Sequence, residues 1–126
     1  MKHLRVAGAF LCAAAMLCAP APVLAHHSVT AYYDTRTEVT LKGTVTKIEW
    51  TNPHAFVYID VRDQHGTVTN WTIETDSPNV LSRGGWSKRT LKPDDEITVT
   101  GYPAKKQRAG LRLVTLVLAD GRRLKG

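Results

Sequence analysis

Residues 39–50 read Val39-Thr40-Leu41-Lys42-Gly43-Thr44-Val45-Thr46-Lys47-Ile48-Glu49-Trp50. Val39, Leu41, Gly43 and Val45 alternate with Thr40, Lys42, Thr44 and Thr46. A period of two, rich in β-branched residues, predicts a half-buried strand. The phase slips before Ile48 and Trp50, which predicts a bulge. A long, bulged first strand suits a small barrel, where it must bend to pair in both halves.

Thr51-Asn52-Pro53 then signals a turn. A second strand is expected from about His54 to Arg62, with Ala55, Val57, Ile59 and Val61 on one face. His54, Phe56, Tyr58 and Asp60 take the other. Asp63-Gln64-His65-Gly66 predicts a hairpin, and a third strand runs from about Thr67 to Thr75. Ser77-Pro78 offers an N-cap followed by proline at the first helical position, and Gly84-Gly85 stops that helix after about two turns. Lys92-Pro93-Asp94-Asp95 is a further turn. Fourth and fifth strands are expected at Glu96 to Tyr102 and Leu111 to Ala119, joined by a basic loop from Pro103 to Gly110. Asp120-Gly121 leads into a short tail.

Five strands with one short helix between the third and fourth is the order of an OB-like barrel. An immunoglobulin-like sandwich is the runner-up, but it needs about seven strands. The alternation predicts a core of Val45, Val57, Ile59, Trp71, Ile73, Ile97, Val99 and Leu116.

The amino-terminal block is different in kind. Lys2 and Arg5 precede an uncharged apolar run from Val6 to Cys18, Pro20 and Pro22 end any helix, and Val23-Leu24-Ala25 fits a cleavage site. Residues 1–25 are therefore expected to be a signal peptide, with 26–126 a single domain in the periplasm or secreted. The apolar run is shorter than the roughly 20 residues that span a bilayer. Ala15-Met16-Leu17 before Cys18 lacks the small residue of a lipoprotein signal. No transmembrane segment is expected after cleavage.

The whole chain has 126 residues, 43% hydrophobic and 22% charged, which excludes a disordered or fibrous chain. Cleavage removes two of its 17 basic residues and none of its 11 acidic ones, so the mature chain carries +4. It also removes Cys12 and Cys18, which excludes a disulfide, a thiol nucleophile and a thiolate metal site.

Several strings together carry a resemblance. They are His26-His27-Ser28, Gly43-Thr44-Val45, Trp50-Thr51-Asn52-Pro53-His54, Val99-Thr100-Gly101 and Asp120-Gly121-Arg122. In these the chain resembles a family of small secreted bacterial proteins of unknown function. The resemblance spans nearly all of the mature chain and implies a type of protein, not a mechanism.

Two sets of residues offer binding chemistry. Cleavage after Ala25 makes His26 the mature amino terminus. An N-terminal histidine chelates a metal through its α-amine and imidazole Nδ1, and another imidazole completes an N3 site suited to Cu(II). His54 is the expected third ligand, with His27 as the substitute. The plain alternatives are a solvated terminus and a turn histidine bonded to a carbonyl. His65 is expected to be an exposed hairpin residue. The second set is Trp50, Phe56, Tyr58 and Trp71 on the first three strands, with Lys105, Lys106 and Arg108 in the basic loop. OB-folds bind polymers on this face. Export points away from nucleic acid and towards an anionic envelope polymer, a lipid or a protein partner. The plain alternative is that Trp50 and Trp71 cap the core and the cations form a solvated rim.

Catalysis is not expected. Asp94-Asp95-Glu96 sits at a turn, and the spacing of Glu49, Glu74 and Asp76 does not single out a carboxylate pair. No nucleophile elbow, His-Glu-x-x-His motif or phosphate loop is present.

Overall fold

Val39–Glu49 forms one strand, β1, and it changes partners along its length. Its first half pairs antiparallel with β4 (Glu96–Pro103), from Val39 opposite Gly101 to Thr44 opposite Glu96. Its second half pairs with β2 (Phe56–Arg62), from Thr44 opposite Asp60 to Glu49 opposite Phe56. The register slips between Val45 and Lys47, where the sequence phase also slips. This computed structural model describes residues 28–126. The expected leader, His26 and His27 lie outside the described residues.

The remaining strands are β3 (Val68–Glu74), β5 (Gly110–Leu118) and a short β6 (Arg123–Lys125). The order is β3-β2-β1-β4-β5-β6, and a parallel β3–β5 pairing closes the barrel through Thr72–Gly110, Ile73–Leu111 and Glu74–Arg112. The helix expected after Ser77 spans Pro78–Arg83 and lies between β3 and β4. The fold is an OB-like barrel of five strands plus one.

Two details differ from the sequence reading. The tail after Gly121 is a sixth strand, paired with Thr115 to Val117 of β5. The lead-in before β1 contains a one-turn helix, Val29–Tyr32, whose four residues are too few for a sequence period to show.

Seven of the eight expected core residues are buried: Val45, Val57, Ile59, Ile73, Ile97, Val99 and Leu116. Trp71 is corrected to a half-buried residue packed against the core. It faces inward opposite Ile59, but β5 begins at Gly110 opposite Thr72, so the closing strand stops short of it. The buried set also takes in Leu111, Leu113 and Leu118 of β5, Leu81 of the helix, and Ala55, Trp86 and Leu91 from loops. Trp86 donates its indole N–H to Lys125 O at 2.8 Å, which ties the loop after the helix to β6. Trp50 is also half-buried against this cluster.

Candidate functional site

The alternation that sends Val57 and Ile59 inward sends His54, Phe56 and Tyr58 to the outside of the barrel. Register extends this outer row across the closure, because Phe56 faces Glu74, Glu74 faces Arg112 and Arg112 faces Tyr102. The lead-in lies beside this face. Tyr33 forms a bridge with Ala104, and Asp34 N–H donates to Pro103 O at 2.9 Å. Lys105 clamps the one-turn helix, its backbone N–H donating to Tyr32 O (2.9 Å) and its Nζ to Thr30 O (2.6 Å).

These pieces enclose a groove of 740 Å³ bordered by the lead-in, the β1–β2 loop, the end of β3 and the start of the Pro78 helix. Its polar residues form a connected array. The Tyr33 hydroxyl donates to Glu74 Oε2. Glu74 Oε1 lies 3.4 Å from His54 Nδ1, and that nitrogen bonds the backbone O of Thr75 at 2.9 Å. A carbonyl only accepts, so Nδ1 carries a proton and Nε2 is the nitrogen left for another partner. Thr75 is fully buried and donates its hydroxyl to Ala55 O at 2.9 Å, so the element holding His54 is fixed. Arg112 donates from Nη2 to Asp76 Oδ1. Burial, then the hydrogen bond and negative charge of Glu74, hold the Tyr33 phenol protonated well above the ordinary tyrosine range; the nearby Arg112 charge opposes this.

The structure distributes the sequence-predicted residues unevenly. His54 borders the groove. Phe56 and Tyr58 lie on the outer face, where the Tyr58 hydroxyl donates to Glu49 Oε2 at 3.1 Å and Lys47 Nζ stands 5.3 Å from its ring centre. Trp50 lies instead in a cleft with Trp86 and Leu91. Lys105, Lys106 and Arg108 are exposed as expected. Of these cations only Lys106 borders a 300 Å³ hollow shared with Tyr33 and Glu74. His65 is exposed in its hairpin. Among the described residues, no group of three or more His, Cys, Asp or Glu side chains is placed to hold a metal.

The sequence reading missed Tyr33 and Arg112 and passed over Glu74 and Asp76. One signal was present: Arg112 is a lone charge between Leu111 and Leu113 in an otherwise uncharged strand. Its pairing with Glu74 depends on a parallel contact between distant segments, which spacing does not reveal.

Among the described residues, no helix is long and apolar enough to cross a membrane. No curated protein matches the chain in sequence. Residues 14–112 match the Family of unknown function (DUF6152), and since that span is most of the sequence, the chain belongs to this family.

Proposed function

We propose that the chain is an exported, non-catalytic binding module that holds a copper ion through its mature amino-terminal His26 and the barrel residue His54, with His27 as the substitute imidazole. The observation that carries this reading is that Val29 and His54 border the same groove. His26 precedes Val29 by three residues, a reach of about 10 Å at most for extended chain. On this reading the terminal amine and imidazole come to His54, whose Nδ1 is tied to Thr75 O, with Nε2 as the ligand nitrogen.

Charge supports the same reading. The groove is bordered by the carboxylates of Glu74 and Asp76 and the single guanidinium of Arg112. That balance of two carboxylates and one guanidinium favours a cation over an anion. The rival reading is an anionic envelope polymer, lipid or protein partner held by Trp50, Phe56, Tyr58, Lys105, Lys106 and Arg108. It has weaker support, because Trp50 faces a different cleft and the Lys105 amine is engaged by Thr30 O.

The test is copper titration of the correctly processed protein beside a version with one extra amino-terminal residue, after intact-mass measurement of the exported chain. The extra residue should abolish the amine chelate and weaken binding strongly, with copper preferred over zinc. Equal affinity in both versions would sink the proposal. Binding that ignores the extra residue and falls with salt would favour the polymer.

A further inference from the structure

The barrel leaves a strand edge open at the end of β3 farthest from the groove. β5 pairs with β3 only from Thr72 to Glu74, so among the described residues no strand lies on that side of Val68, Thr69, Asn70 and Trp71. Hydrogen-bond direction alternates along a strand, and Thr72 N–H turns away from β2 to donate to Ala109 O at 2.9 Å. Thr67 and Thr75, of the other parity, bond towards β2: Thr67 O accepts from Asp63 N–H at 2.9 Å, and Thr75 N–H donates to Ala55 O at 3.0 Å. Val68 and Asn70 share the parity of Thr72 and therefore present their backbone N–H and C=O groups at the open edge. Val68, Thr69 and Asn70 are all exposed, and Val68 is 44% exposed despite its apolar side chain.

Open edges are ordinarily guarded against pairing by charge, proline or a bulge. β6, at the other end of the sheet order, carries Arg123 and Lys125 among its three residues. Val68-Thr69-Asn70-Trp71 has no such guard: it holds no charge and no proline, and its register with β2 is unbroken. That favours a second copy of the chain as the occupant. A strand pairing across a two-fold axis meets its own side chains, so any charge on it would meet a like charge. The flanking charges select the alignment. On β2, Arg62 stands opposite Val68 and Asp60 opposite Asn70. Pairing Val68 with the second copy's Asn70 puts Arg62 and the second copy's Asp60 in one row across the joined sheet. Pairing either residue with its own counterpart puts like charges in that row, and for Asn70 it also needs the Thr72 N–H already given to Ala109.

We propose that two copies of the chain join edge to edge through β3, antiparallel about a two-fold axis at Thr69. Val68 and the second copy's Asn70 exchange N–H···O bonds, Asn70 and the second copy's Val68 do the same, and the two Thr69 side chains stand side by side on the axis. The added strand stands where β5 stops, and it lays the second copy's Thr67 opposite the half-buried Trp71. Val68 and Glu74 are the two ends of β3, about 20 Å apart, so the interface lies clear of the His54 groove. The proposal does not rest on the copper reading.

Sedimentation equilibrium of the mature protein, with a chelator present and from micromolar to millimolar concentration, measures the association. The contact is small, and a weak dimer with a Kd of roughly 0.1 mM is expected. Thr69→Lys and Thr69→Glu each set like charges against each other on the axis, at a position exposed in the single chain, and each should weaken self-association roughly tenfold or more. Mixing the two variants should restore it, because opposite charges then meet on the axis. Val68→Pro removes an outward N–H without touching the β2 ladder and should weaken association to a similar extent. Circular dichroism checks that each variant is folded, and should Val68→Pro fail to fold, the Thr69 pair decides the matter. A wild-type chain that stays monomeric at millimolar concentration would overturn the proposal, leaving the edge to a strand of some other protein or to water. A dimer unchanged by the Thr69 variants, or a mixture no more associated than its parts, would overturn it as well.

Discussion

Gly101→Ala should be among the most damaging single-methyl changes in this barrel. Gly101 lies in β4 at the register shift against β5. A β-carbon there falls inside the van der Waals shell of Arg112 O, 2.9 Å from the Arg112 carbonyl carbon and 3.0 Å from Leu111 Cγ. Carbon atoms normally rest about 3.5–4.0 Å apart, so β4 and β5 must part locally by up to roughly 1 Å. The obstacle is backbone, and no rotamer change relieves it. Overpacking of this kind costs about 1–3 kcal/mol, and weakening a flanking ladder bond adds about 1 kcal/mol. A loss of about 3 kcal/mol lowers Tm by roughly 12–24 °C in a domain of this size. Thermal unfolding followed by circular dichroism measures it. Gly66→Ala is the control: Gly66 has φ +85° in the β2–β3 hairpin with nothing within 4 Å of its would-be β-carbon. That change is conformational alone and should cost about 1–2 kcal/mol. A Gly101→Ala protein that melts near wild type, or above Gly66→Ala, would refute the steric reasoning.

Other perturbations probe the core, the groove and the proposed metal site. Val57 is 1% exposed with Ile73 opposite, so Val57→Asp buries an unpaired carboxyl and should unfold the domain; a folded circular dichroism spectrum would show the face to be wrongly assigned. The Tyr33 phenol has its folded-state pKa raised above the ordinary 10.0, so its proton stabilises the fold below about pH 10. That contribution should fall as pH rises beyond this value, and Tyr33→Phe should flatten the alkaline loss measured by urea unfolding between pH 9 and 11. His54→Ala should weaken copper binding in isothermal titration and leave a weaker amine–imidazole chelate behind; unchanged affinity would remove His54 from the ligand set.

The strand alternation, the slip before Ile48 and the Ser77-Pro78 start with its Gly84 stop were all legible, because each is a short-range pattern imposed by the pleat or by the helix ends. These local signals predicted the OB-like order and seven of the eight expected core positions. His54 was legible as an outward residue beside a turn for the same reason. Trp71 shows where that logic stops: alternation gives the side of the sheet a residue faces, but not whether the closing strand reaches far enough to cover it.

The groove was not legible. Glu74 and Arg112 are 38 positions apart and become neighbours only through the parallel β3–β5 closure, and Tyr33 reaches Glu74 only because the lead-in lies beside Ala104. The sequence by itself determined which residues alternate, where the chain turns and which charges exist. The tertiary structure alone decided which charges meet, because a barrel closes by joining distant segments, and their register is fixed by packing across the core and not by spacing along the chain.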